Sequence, residues 1–120
     1  MPSNNITFII FTYNEEKRIG YVIRNLIKYG KVLLLDDGST DKTKEVAEKM
    51  GVMAILRPKM KVAESQEMLD FIKSVTKTKW IYFGCSDHAL SKRLLERMVE
   101  ISNQDKIRYV QIPIYTYLWG

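Results

Sequence analysis

The chain has 120 residues, 46% of them hydrophobic and 28% charged, which is typical of one globular domain and excludes a disordered chain. No apolar run approaches the length of a membrane span, and the polar first five residues lack the regions of a signal peptide. A cytoplasmic protein is therefore expected, and the single cysteine, which excludes an internal disulfide, fits a reducing compartment. The net charge of +5 favours anionic partners but is modest for a nucleic-acid-binding protein, and no nucleic-acid partner is expected.

The chain alternates between short, apolar, β-branched runs and segments with helical periodicity. In chain order, strands are predicted over residues 6–11, 32–35, 52–56 and 80–83, and helices over residues 19–27, 42–50, 68–75 and 91–101. Gly30 and Gly51 stand where the first two helices should stop, and Ser91 is the predicted N-cap of the fourth. Residues 109–119 are predicted to form an edge strand or a strand and a bend. This alternation predicts an α/β fold, a Rossmann-like three-layer α/β/α domain with a mostly parallel sheet.

Polar side chains cluster directly after three of the predicted strands. In an open parallel sheet, ligands bind at the carboxyl ends of the strands, so these side chains are expected at one edge. A carboxylate there can accept hydrogen bonds from ribose hydroxyls or a base N–H. The six glycines are too widely spaced for a dinucleotide fingerprint or a P-loop. The clustered residues are Thr12, Tyr13, Asn14 and Glu15 after the first strand, Asp36 and Asp37 after the second, and Asp87 and His88 after the fourth.

Two of these clusters form motifs that resemble those of a known family. The first reads Thr-Tyr-Asn-Glu-Glu over residues 12–16, and the second reads Leu-Asp-Asp-Gly-Ser-Thr-Asp over residues 35–41. With their spacing and the strand before Asp87, they resemble the nucleotide-binding half of family 2 glycosyltransferases of the GT-A fold. The resemblance covers about residues 6–101. It implies a single nucleotide-sugar-binding domain over residues 1–120, truncated before the acceptor-binding part.

The resemblance implies a role for each matching residue of the two motifs. Tyr13 would pack near the base, Glu15 would lie by the base or the ribose, and Asp37 would hydrogen-bond the base. Asp36 would support that corner, and Thr12 belongs to the same nucleotide-binding set. The implied donor is a nucleotide-diphosphate sugar, with a UDP-sugar favoured, and the implied reaction transfers its sugar to an acceptor hydroxyl.

The resemblance also implies a divalent metal ion, Mg²⁺ or Mn²⁺. In the family, a D-x-D turn follows the fourth strand, and its last acid, here Asp87, would bind the metal. Cys85 stands in place of the first acid, and because a thiol is a weak hydrogen-bonding group, donor contacts or metal affinity should differ from the family pattern. After Asp87 the remaining acids are Glu96, Glu100 and Asp105. None of them matches the family's general base, so no catalytic residue is assigned.

Other interpretations remain open at this point. The acidic pair could serve only as a turn and helix cap. A non-catalytic nucleotide-sugar-binding module would fit the missing base. A receiver-type signalling domain also carries an acidic pair and a further aspartate, although its pair would follow the first strand. The basic residues Arg57, Lys59 and Lys61 form either a solvated loop or a contact with phosphate or a peripheral membrane surface.

Overall fold

The computed structural model of the chain describes residues 5–58, 66–85 and 90–104. Strands and helices alternate through these residues in the predicted order. The predicted strand over residues 109–119 lies outside the described residues. The strands are β1 (Ile6–Thr12), β2 (Lys31–Asp36), β3 (Met53–Leu56) and β4 (Trp80–Cys85), and the helices are α1 (Ile19–Leu26), α2 (Thr43–Lys49), α3 (Gln66–Val75) and α4 (Lys92–Ser102).

The described strands form one parallel sheet in the order β3-β2-β1-β4. In the register of this sheet, Thr12 pairs with Asp36 and Asp36 pairs with Leu56, so the carboxyl ends of three strands are level. The loops after β1 and β2 therefore emerge side by side at the centre of one edge. In receiver-type folds β1 lies between β2 and β3, whereas here β1 lies between β2 and β4, which contradicts the signalling-domain interpretation.

Helices cover both faces of the sheet. Phe8 and Ile10 of β1 are buried in a core that also contains residues of α1, α2 and α4. Ile9, on the opposite face of the same strand, packs in a second core with Met68 and Ile72 of α3. Because both faces of β1 are buried, its sequence is continuously apolar instead of alternating. The predicted three-layer α/β/α arrangement is confirmed.

Two of the three predicted helix boundaries, those at Gly51 and Ser91, are confirmed. Gly51 adopts a left-handed φ of 78° just after α2, and the Ser91 side chain accepts a hydrogen bond from the backbone N–H of Leu94, as predicted for a stop and an N-cap. Gly30 does not end α1, whose last residue comes four positions earlier. A Cβ at Gly30 would lie 2.7 Å from the carbonyl oxygen of Ile6, so this glycine permits a close approach of two backbone segments.

No helix in the described ranges has both the length and the apolar character needed to cross a bilayer. The longest of them, α4, has 11 residues and carries charged side chains.

Candidate functional site

Tyr13 and Asp37 occupy the first positions after β1 and β2, at the carboxyl edge of the sheet. The backbone N–H of Asp37 donates to the carbonyl oxygen of Thr12 at 2.9 Å, which holds the two chain exits together. The side chains of Tyr13 and Asp37 are both exposed, with 54% of Tyr13 accessible to solvent. The edge thus presents an aromatic ring and a carboxylate from neighbouring strands.

Asp36, in contrast, directs its carboxylate into the protein. Its oxygens accept hydrogen bonds from the hydroxyls of Thr12 at 2.9 Å and Ser39 at 2.6 Å, and from the backbone N–H groups of Gly38 at 3.1 Å and Ser39 at 2.8 Å. Gly38 has a φ of 82°, a left-handed conformation that glycine adopts without steric cost. These bonds fold the turn after β2 back onto Asp36, so this carboxylate has a structural role.

Burial raises the pKa of Asp36, but the hydrogen bonds from Ser39, Thr12 and Gly38 outweigh it and hold the pKa below the usual aspartate value. Asp36 is therefore ionised at neutral pH. The adjacent carboxylate of Asp37 makes no hydrogen bond or ion pair with any residue in the described part of the chain. The two neighbouring acids thus differ in role: Asp36 shapes the turn, and Asp37 is available to a ligand.

Asn14 connects the loop after β1 to the loop after β2. Its φ is 50°, in the left-handed region that asparagine tolerates better than most residues. Its side-chain oxygen accepts hydrogen bonds from the backbone N–H groups of Thr40 at 2.8 Å and Asp41 at 3.3 Å. Its own backbone N–H donates to the Ser39 hydroxyl at 2.8 Å, and that hydroxyl donates to Asp36. Asn14 is therefore joined to Asp36 through a single hydroxyl.

Two further bonds tie the loop that precedes α1 to the segment where α2 begins. The backbone N–H of Glu15 donates to the Thr43 hydroxyl at 2.8 Å, and the backbone N–H of Glu16 donates to the Asp41 carboxylate at 3.2 Å. Asp41 also accepts the backbone N–H of Thr43 at 2.9 Å. We call these two loops, residues 13–16 and 37–43, the loop bracket. It fixes Tyr13 relative to Asp37 before any ligand binds.

The bracket also depends on Asn14, Ser39, Asp41 and Thr43. Asn14 is expected at this edge from its place after the first strand, but the sequence predicts no role in the site for any of the four. Each is a residue type that bonds the backbone of a nearby turn or helix start, which is the only sequence signal of its role. The bonds that matter here join residues 25 to 28 positions apart. Local turn chemistry does not reveal such partners.

Glu15 is held differently from Asp37. Its two carboxylate oxygens accept hydrogen bonds from Nε and Nη2 of Arg18 at 2.8 and 3.0 Å, in a two-point pair within the turn that precedes α1. Only 17% of the Glu15 side chain is exposed. Among the predicted site residues that the structure describes, Glu15 alone pairs with a cation, so a ligand would meet a neutral pair at this position.

Arg57 brings a positive charge to the carboxyl end of β3. Its backbone N–H donates to the carbonyl oxygen of Asp36 at 2.7 Å, and its guanidinium lies 5.3 Å from the centre of the Phe11 ring. Lys59 and Lys61, the other members of the predicted basic loop, lie outside the described residues. The edge therefore combines an unpaired carboxylate with at least one cation.

The predicted metal ligand, Asp87, lies outside the described residues, as does His88. Residues 5–58, 66–85 and 90–104 contain no group of three acidic, histidine or cysteine side chains that could hold a metal ion. Mg²⁺ is usually held by one or two carboxylates together with substrate phosphates, so a single aspartate fits such an ion only alongside a bound diphosphate. The metal role of Asp87 stays a prediction.

Comparison with known proteins adds independent information. The chain matches the family described as Glycosyl transferase family 2 over residues 7–120. An uncharacterized glycosyltransferase of Rickettsia bellii is 29% identical over 116 residues, which cover 93% of this chain and 38% of the relative. An uncharacterized protein of Methanocaldococcus jannaschii is 27% identical over 144 aligned positions, covering 98% of this chain and 59% of that protein.

A solved structure has the same fold. Glucosyl-3-phosphoglycerate synthase from Mycobacterium tuberculosis, crystallised with Mn²⁺, UDP and glucosyl-3-phosphoglycerate, superposes with a TM-score of 0.55 at 24% identity, over 71% of this chain and 34% of that one. This likeness confirms the GT-A type of α/β fold. The chain spans 38% of one curated relative and 59% of the other. Because the family match extends over almost all of its residues, the chain belongs to glycosyl transferase family 2.

Proposed function

We propose that this chain is the donor-binding part of an enzyme that transfers a sugar from a nucleotide-diphosphate sugar, with a UDP-sugar favoured, to an acceptor hydroxyl. The observation that carries this proposal is the loop bracket, which presents Tyr13 and Asp37 side by side while Asp36 and Asn14 hold their backbones. Family membership and the UDP bound by the M. tuberculosis enzyme support the proposal.

Each residue of the edge has a defined task in this proposal. The exposed Tyr13 ring packs against the base, and the Asp37 carboxylate accepts a hydrogen bond from a base N–H. A hydrogen bond to a charged group contributes about 1.5–3 kcal/mol, equivalent to about ten-fold to a hundred-fold in affinity. Thr12 and Asp36 keep the two loops in register, and the Glu15–Arg18 pair borders the ribose.

Asp87 is the residue that we propose to hold Mg²⁺ or Mn²⁺, which would neutralise charge on the diphosphate leaving group. Neither acid of α4 is proposed as the general base. Glu96 lies 3.9 Å from Lys92, and Glu100 lies 2.9 Å from Arg97, so both form ion pairs on the helix surface.

The proposal is tested by calorimetric titration of UDP, GDP, CDP and their sugars, with and without Mn²⁺. Asp37→Asn keeps the shape of the side chain but removes its charge, and we expect it to weaken nucleotide binding ten-fold or more. Glu45→Gln removes one exposed carboxylate from α2 and serves as the matched control. Asp87→Asn should abolish mainly the dependence on Mn²⁺. Identical titrations for Asp37→Asn and the unchanged chain would refute the site assignment.

A non-catalytic nucleotide-sugar-binding module is the second candidate, because none of the acids after Asp87 matches the family's general base. The two candidates differ in turnover. In the full-length protein, an enzyme should slowly release free UDP from a UDP-sugar when water replaces the acceptor, whereas a binding module should retain the donor intact. Chromatography of the nucleotide after prolonged incubation separates the two outcomes.

A further inference from the structure

The segment that contains α1 is strongly basic. From Lys17 to Lys31 the sequence has five basic residues and no acidic one, and the next acid along the chain is Asp36. The apolar side chains of the helix face the core, where Ile19 and Ile23 are fully buried. The charges must therefore be carried by the remaining surface of the helix.

Helical geometry places four exposed side chains in one line opposite the buried face. At 3.6 residues per turn, Lys17, Tyr21, Arg24 and Lys28 fall within a narrow stripe along the helix axis. Lys17 and Lys28 lie in the turns that flank α1. The bonds from Ile19 N–H to the Glu15 carbonyl oxygen and from Ile27 N–H to the Ile23 carbonyl oxygen continue the helical pattern just beyond its ends, so both residues lie close to the line of the helix. We call these four residues the basic stripe. It is roughly 16 Å long, from the helical rise per residue.

The cations of the basic stripe have no acidic partner within the part of the chain that the structure describes. Lys17, Arg24 and Lys28 form no ion pair with a residue in the described ranges. On the two neighbouring helices, by contrast, Lys44 pairs with Glu48 and Lys92 pairs with Glu96. The stripe is therefore a concentration of uncompensated positive charge, which is attracted to a surface of fixed negative charge.

The stripe is also partly apolar. Tyr21 is 63% exposed, and Ile27, beside the stripe at the end of α1, is 37% exposed. Tyrosine with an apolar ring and a polar hydroxyl prefers the interface between lipid headgroups and acyl chains, and lysine and arginine keep their charges at the phosphates. Proteins that bind single-stranded nucleic acid use a charged groove with several stacking rings. A convex helix with one ring matches a bilayer better.

We propose that the basic stripe of α1 docks the protein on an anionic lipid surface. Lys17, Arg24 and Lys28 contact phosphate headgroups, and Tyr21 enters the headgroup layer. Because α1 begins directly after the loop bracket, a helix lying flat on the membrane places the carboxyl edge of the sheet close to the lipid surface and open along it. This proposal does not depend on which ligand the edge binds.

The test is flotation of the full chain with vesicles of phosphatidylcholine alone and of phosphatidylcholine and phosphatidylglycerol in equal parts. We expect binding only to the anionic vesicles, weakening as ionic strength rises. Each basic residue near an anionic surface contributes about a five-fold gain in affinity. The triple variant Lys17→Gln, Arg24→Gln, Lys28→Gln should therefore bind the anionic vesicles roughly a hundred-fold more weakly than the unchanged chain. Its thermal midpoint should not change, because the three side chains are exposed and unpaired.

A matched triple variant separates the stripe from overall charge. Lys44→Gln, Lys49→Gln and Lys92→Gln remove the same charge from α2 and α4, and we expect most of the vesicle binding to remain. Tyr21→Trp should show a blue-shifted fluorescence difference spectrum, relative to the unchanged chain, when anionic vesicles are added.

Three results would overturn the proposal. One is equal binding to neutral and anionic vesicles, and another is equal loss in the two triple variants. The third is a labelled RNA oligonucleotide that binds through the stripe while vesicles do not, which would assign the stripe to nucleic acid.

Discussion

Replacing Asn14 with glycine or alanine separates the two things that this residue does in the loop bracket. Both changes remove the side-chain oxygen that accepts the backbone N–H groups of Thr40 and Asp41. A hydrogen bond contributes about 0.5–1.5 kcal/mol net, and because these two bonds lie near solvent, we expect a loss of about 1–2 kcal/mol in Asn14→Gly. Alanine must in addition adopt a φ of 50°, which costs about 1 kcal/mol more. Asn14→Ala should therefore be the less stable variant.

Asn25 provides a control in which the order is reversed. Its side chain exchanges two hydrogen bonds with the backbone of Leu90, at 3.0 and 3.3 Å, so either substitution again removes two bonds. Asn25 lies inside α1, however, where alanine is more favourable than glycine by about 1 kcal/mol. Asn25→Ala should therefore be more stable than Asn25→Gly.

The assay is urea unfolding of the four variants, followed by circular dichroism, with the slope of the transition compared to confirm two-state behaviour. Nucleotide affinity measured on the same samples should fall for both Asn14 variants, because the distance between the two loops is no longer fixed. If Asn14→Ala is as stable as Asn14→Gly, position 14 does not hold the left-handed conformation and the bracket described above is wrong.

Two further predictions concern stability. The pKa of Asp36 is below its usual value in the folded chain, so its hydrogen bonds stabilise the fold above about pH 4 and this contribution is lost as the pH falls towards the folded-state pKa. Urea unfolding at a series of pH values should show that Asp36→Asn loses less unfolding free energy at acidic pH than the unchanged chain does. Parallel pH profiles for the two proteins would contradict this. Gly30→Ala should lower the free energy of unfolding by about 1–3 kcal/mol, because its Cβ would meet the Ile6 carbonyl oxygen. Gly20→Ala, whose Cβ would make only ordinary contacts at 3.6 and 3.8 Å, should be neutral or stabilising, and equal thermal midpoints for the two variants would disprove the close approach.

The fold could be predicted from the sequence because its signals are local. The continuous apolar run of β1 indicates a strand covered on both faces, and Ser91 and Gly51 mark helix boundaries through bonds within one turn. The polar residues after the strands could be placed at one edge because parallel strands all end there. The prediction that Gly30 ends α1 is nevertheless wrong. This glycine is required by a close contact with Ile6, which is distant in the chain and leaves no local signal.

Only the tertiary structure decided what each polar residue at that edge does. The sequence contains two adjacent aspartates, but the register of β1 against β2 makes Asp36 the partner of Thr12 and leaves Asp37 exposed. The same register brings Asn14 to the backbone of Thr40, which is 26 positions away. A hydrogen bond requires two groups within about 3 Å, and strand order and register, which local patterns do not encode, determine which distant groups meet.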